Sequence, residues 1–357
     1  MERDYSIKLT DLKKKLKYLR SINDGSSLLE EDIIRMELLI RRLESNFQIP
    51  LFTEINSSFD DIVDDVNSLN CSSELLLIIE DIISKADLSF LDYNPSYSSI
   101  YLSDRDAIDL AHSFYSTGGN IFYSNFLDVY DTLHNHLQFI NPNEFTDGEM
   151  DNLRSTRDTY IFVPNHPNIK KATILIHEMQ HAIDLLENDK LIYNTLIKEI
   201  ASVFMELIAS DYVAKQVGLP IEGFKRKAEV HRIVLSDSLY LSNKFEMFRS
   251  LNGGKKVTDI DSFYEELYKQ GYDDEDIDEN IKYSVYSVIS YQLPQFLAIE
   301  LFYIYKKDPQ DAFELLKGLI NYCNDDNILS VLNGTGIELG KHYNEYQKSL
   351  AKRLQIK

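Results

Sequence analysis

The segment ATILIHEMQHAID, residues 172–184, limits the folds open to this chain more than any other stretch. Its apolar residues recur at three- and four-residue steps, the pattern of a helix that buries a face, yet it also carries His177, Glu178 and His181. Two imidazoles and a carboxylate are costly to bury unless they are paired or bound to a metal. The fold must therefore be built around whatever satisfies them. With the histidines at i and i+4, one helical face presents both rings to a single point, while Glu178 lies one residue round the helix. A shared metal satisfies this pattern, and so does a satisfied pair of core histidines.

Two neutral imidazoles suit zinc, and a catalytic zinc takes three protein ligands and leaves a position for water. Glu199 follows in KEIASVFMELIASDYV, on a second helical pattern over about 194–217 that a short loop can fold back antiparallel to the first. The spacing predicts His177, His181 and Glu199 as ligands of one Zn2+ and Glu178 as the general base. Ser202 and Glu206 share the inner face with Glu199 and are candidates for orienting a ligand, as is Asp184, one turn beyond His181. Asp184 equally fits an exposed helix position.

The rest of the chain reads as mostly α. Residues 1–150 form a series of amphipathic patterns, with capping-box spacing at Ser27/Glu30 and Ser103/Asp106, and are expected to make a helical N-terminal lobe; residues 151–357 would form the catalytic domain. DTYIFVP, residues 158–164, is the best strand, placed just ahead of the histidine helix. KKKLKYLR reads as the solvated face of a helix, DDEDIDEN as a solvated acidic loop, and His134 and His136 as surface or capping residues. His231 is more readily packed or exposed than part of a site.

With 44% hydrophobic and 27% charged residues the composition is globular. A formal net charge of -21 repels nucleic acid and anionic lipid, so neither is expected as a partner. Cys71 and Cys323 form no CxxC, which argues against a thiolate zinc site or a disulfide framework. No run of about eighteen apolar residues occurs, and a cytoplasmic location is expected.

At these residues the sequence resembles the oligoendopeptidase F and thimet oligopeptidase family of zinc peptidases. EIASVFME, residues 199–206, is similar to that family's EVASTFNE segment, whose first glutamate binds zinc. The likeness continues through NKFEMFRSLNGGKKVTDIDSFYEELYKQ and YSVYSVISYQLPQFLAIELFYIYKKDPQDAFELLKGL, and covers about residues 155–340. It implies a helical two-lobe zincin of the gluzincin type with a small strand element ahead of HExxH. It also implies hydrolysis of oligopeptides, with Tyr286 and Tyr291 as candidate donors to the developing oxyanion and Tyr283 beside them. YIFVPN matches the strand whose edge, by resemblance, pairs with an extended peptide substrate. Three departures stand out: the N-terminal region is shorter, Asn280 stands near the position of a family histidine, and Asp184 replaces a third histidine. The alternative outside enzymes is a peptide-binding module with little or no turnover. A structural zinc with a closed fourth ligand is a third reading.

Overall fold

A computed structural model of the chain describes residues 6–45, 82, 101–117, 120–142, 148–153, 155–187, 198–216, 268, 269, 271, 293–322 and 328–353. Residues 1–56 with 97–187 form one compact unit, and residues 57–96 with 188–357 form the other.

The first unit opens with a helical hairpin, α1 (Leu9–Ile22) and α2 (Ser27–Glu44), followed by α3 (Asp104–Thr117), a short 3-10 turn and α4 (Tyr123–His136). Three strands come next, β1 (Leu137–Ile140), β2 (Glu149–Leu153) and β3 (Asp158–Pro164), and then α5 (Lys170–Glu187). Among the described residues the fold is mostly helical with one small sheet, as expected. The sheet order is β1-β3-β2, with β1 parallel and β2 antiparallel to β3.

The central strand explains the layering. Tyr160, Ile161, Phe162 and Val163 are all buried, so both faces of β3 are covered. Tyr160 and Phe162 join Leu12, Leu19, Met36 and Leu39 of the hairpin in one apolar cluster. Strand alternation points Ile161 and Val163 the other way, and α5 is the helix that packs on β3 and β2. The sheet is thus held between the α1–α2 hairpin and α5. Polar ties reinforce it. Arg42 on α2 donates from Nη1 and Nη2 to both carboxylate oxygens of Glu149 at 2.6 and 2.7 Å, and Ser155 N–H donates to Asp32 at 2.7 Å. At the start of α5, the buried Lys171 donates to the Leu102 carbonyl at 3.1 Å and to Asp104 at 2.6 Å, which fixes that helix to α3.

Several local expectations are corrected or sharpened. The Ser103/Asp106 capping box forms reciprocally, Ser103 N–H to Asp106 Oδ2 at 3.0 Å and Asp106 N–H to Ser103 Oγ at 3.1 Å. The helix expected to be capped by Ser27 instead has Ser26 at its N-cap, with no side-chain capping bond, because Ser27 is already helical. KKKLKYLR is salt-bridged, Lys13 to Glu44, Lys15 to Asp158 and Arg20 to Glu37. His134 is exposed, but His136 is half-buried with its ring 4.7 Å from that of Tyr160, since the chain turns from α4 directly into β1.

The second unit contains α6 (Lys198–Gln216), α7 (Leu293–Tyr305), α8 (Pro309–Tyr322), α9 (Ile328–Thr335) and α10 (Tyr343–Arg353). Helix α7 is its axis: residues 293–302 are all buried, which requires partners on every side, and α6, α8 and α10 supply them. Phe204 of α6 meets Phe313 and Tyr305 edge-on at 5.9 and 6.1 Å. Glu300, buried within α7, accepts the His342 N–H at 2.7 Å and pairs with its Nδ1 at 2.5 Å.

Candidate metal centre

Helix α5 supplies His177, Glu178 and His181. Asn168 opens the helix, its Oδ1 accepting the Lys170 N–H at 3.0 Å, and the apolar Ile174, Leu175, Ile176 and Met179 seat it. His177 and His181 are half-buried on this helix and Glu178 is buried. The helical repeat brings the two rings edge to face, with centroids 4.9 Å apart and Nε2 to Nε2 at 3.2 Å. Glu199, in the first turn of α6, is buried as well. One ligand atom from each of His177, His181 and Glu199 lies within 4.8 Å of the others.

This donor set fits zinc. Two imidazole nitrogens each about 2.0–2.1 Å from a tetrahedral ion stand about 3.3 Å apart, and the observed 3.2 Å separation is that spacing. Two imidazoles and one carboxylate, with no thiolate, are also a donor set that catalytic zinc sites use. Among the described residues this is the group of histidines and carboxylates close enough to share an ion.

The surrounding polar groups are placed as follows. Ser202 Oγ donates to the Glu199 carbonyl at 3.0 Å and lies 3.4 Å from Glu199 Oε2, so the expected proximity to the ligand is present. Asp184 is buried, which removes the exposed-residue reading, and its Oδ1 accepts from Gln180 Nε2 at 2.7 Å. Gln180 Oε1 in turn accepts from the Tyr115 hydroxyl at 3.0 Å, making a buried chain that locks α5 to α3. Burial pushes the Tyr115 phenol well above its ordinary range, and the Asp184 charge adds to the rise. Tyr283, Tyr286, Tyr291, Asn280 and His231 lie outside the described residues.

Two features lie outside what the local sequence pattern predicts. The strand 158–164, expected to offer an edge to substrate, is the centre of the sheet: β1 pairs with its residues 161–164 and β2 with its residues 158–162. The physical reason is its unbroken apolar run, which suits a strand covered on both faces rather than an edge. β2 lies at an outer edge of the sheet and packs on α5. The second feature is Gly148, immediately before β2. A Cβ built there would stand 2.5 Å from Ile174 Cγ2 and 2.8 Å from Glu178 Cδ, and closer still to Glu178 Oε1. The only sequence signal was a lone glycine in DGEM, which reads equally well as a turn.

No protein-family profile and no curated protein matches the chain. Solved structures do. A Chlamydophila abortus protein assigned as a peptidase is 13% identical at a TM-score of 0.50, covering 97% of this chain and 63% of its own. PZ peptidase A, solved with an inhibitor, is 11% identical at a TM-score of 0.49, covering 97% of this chain and 66% of its own. A Bacillus anthracis str. Ames protein assigned to oligoendopeptidase F is 12% identical at a TM-score of 0.48, covering 97% of this chain and 64% of its own. The likeness to the Chlamydophila structure is one of fold, and the chain spans just under two thirds of the length of these structures.

Proposed function

We propose that this chain is a zinc-dependent endopeptidase or oligopeptidase that hydrolyses peptide bonds in short unfolded peptides. The observation that carries the reading is the gathering of His177, His181 and Glu199 within reach of one ion, with the buried Glu178 on the same helix as both histidines. In it, His177, His181 and Glu199 hold one zinc ion. When bound, the metal would lower the pKa of a water to about 7 and polarise the scissile carbonyl.

The remaining work falls to the chain. Glu178 accepts the proton of the attacking water and delivers it to the leaving amine, so the carboxylate has to be held at a fixed place relative to both. Its burial keeps competing water from the proton path. Tyr286 and Tyr291 are the proposed donors to the developing oxyanion. An extended peptide would add along the outer edge of β2, where main-chain hydrogen bonds hold substrate without reading much of its sequence. A net charge of -21 disfavours nucleic acid and anionic membrane as partners, and we propose a cytoplasmic peptidase with oligopeptides as its partners. Among the described residues no helix is long and apolar enough to cross a membrane.

A second reading is a histidine pair in which one Nε2–H donates to the other ring; the 3.2 Å separation favours it equally. That pair has no use for a buried glutamate beside it, and Glu199 is there. A mixed oligopeptide library, digested and read by mass spectrometry, separates these readings and the non-hydrolytic peptide binder. The expected result is discrete internal cleavage by the zinc-loaded protein, lost with chelator and lost in Glu178→Gln, which retains its zinc. Cleavage that survives in Glu178→Gln, or an intact library throughout, would remove the peptidase reading.

A further inference from the structure

We infer that Gly148 is a positioning residue for the general base: the missing side chain at this point in the chain is what lets the Glu178 carboxylate occupy its place. The inference rests on the peptidase reading and deepens it.

Strand parity places Gly148 on the α5 side of the sheet. Glu149, Asp151 and Leu153 pair with Phe162, Tyr160 and Asp158, and Leu153 belongs with Tyr160 and Phe162 to the apolar cluster under the α1–α2 hairpin. Side chains alternate along a strand, so Met150 and Asn152 face the opposite way, toward α5, and position 148 shares their face. The close approach agrees with this. A Cβ at 148 would meet Ile174 and Glu178, two residues one helical turn apart on the same face of α5.

The two neighbours cannot yield in the same way. Ile174 is buried and β-branched, so its χ1 is stiff in a helix and the methyl in the way has nowhere to rotate. Glu178 ends in a flexible carboxylate, so it is the group that moves. An added methyl would therefore turn the carboxylate aside or push the head of β2 away from α5. In the first case the base leaves the proton it must take; in the second the β2 edge shifts against it. Either displacement lowers the rate of proton transfer, while the histidines and Glu199, none of which supplies the three atoms nearest the added Cβ, go on holding metal.

The test compares zinc-loaded full-length wild type, Glu178→Gln, Gly148→Ala, Ile174→Ala and Gly148→Ala/Ile174→Ala on one fluorogenic oligopeptide, with zinc content measured for each. Gly148→Ala is expected to keep one zinc per chain, hold KM within about threefold and lose about a hundredfold or more in kcat, the scale on which a positioned base acts. A role confined to packing would be relieved by removing the Ile174 methyl. The double variant is instead expected to remain about a hundredfold below Ile174→Ala, because the carboxylate is still displaced. This comparison also serves if Gly148→Ala alone does not fold. Wild-type kcat in zinc-loaded Gly148→Ala, or full recovery in the double variant, overturns the inference while leaving the peptidase reading intact. Turnover absent from wild type, or unchanged in Glu178→Gln, overturns the peptidase reading itself and this inference with it.

Discussion

Asp151 offers a quantitative test of how β2 is held. Its carboxyl is 7% exposed, accepts the Asn152 N–H at 2.9 Å and lies 3.4 Å from Arg35 Nη1 on α2. Burial pushes it up from 3.8 to about 6, and Glu149 adds to the rise, while Arg35 and the Asn152 N–H oppose it. Between those values the native state holds a proton that the unfolded chain has released, so stability falls as pH rises through this window. The gap from 3.8 to about 6, at 1.36 kcal/mol per pH unit, corresponds to about 3 kcal/mol, of which about 2 kcal/mol accrues between pH 4 and 7. Asp151→Asn removes the titration and retains an oxygen for the Asn152 N–H. Urea unfolding of both proteins at pH 4, 5, 6 and 7 should show the variant gaining about 2 kcal/mol on wild type across the series. A difference that is flat with pH, or that runs the other way, would refute a desolvated Asp151 between α2 and β2.

Three further outcomes follow from the same packing. Arg42→Met leaves the Glu149 carboxylate without its two-pronged partner and should cost about 3 kcal/mol in urea unfolding, most of it recovered by adding Glu149→Gln. Tyr115→Phe strips the hydroxyl that donates to Gln180 and should cost about 1–2 kcal/mol by the same assay. Ser103→Ala opens the capping box of α3 and should cost about 1 kcal/mol.

What could be seen in the sequence was what repeats locally. His177, Glu178 and His181 announce themselves through one helical period, and Glu199 through the apolar pattern of the helix that carries it; the structure gathers the ligand atoms of His177, His181 and Glu199. Strand 158–164 was visible for the same reason, as an apolar run. Its partners were not. β1 is four residues long and begins where α4 ends, with no glycine or proline between them, and β2 is EMDNL, in which Asp151 is buried and Glu149 half-buried against Arg35 and Arg42 from more than a hundred residues away. Sheet order depends on such distant pairings, so the central place of β3 could not be read from its own residues. Gly148 was hidden likewise: its meaning lies in Ile174 and Glu178 across the packing of strand on helix, not in its neighbours along the chain. Asp184 could not be placed as buried or exposed until Gln180 and Tyr115 were seen to complete a chain with it.

Zinc binding is tested most directly by titrating the purified protein against a chromophoric chelator, with His181→Ala, Glu199→Gln and Glu178→Gln in parallel. One zinc per chain is expected in wild type and in Glu178→Gln. His181→Ala and Glu199→Gln are expected to weaken binding by more than the about 10–100-fold that loss of a ligand's outer partner costs. No zinc bound by wild type, or an affinity unmoved by removing His181 and Glu199, would contradict a zinc site built from these residues.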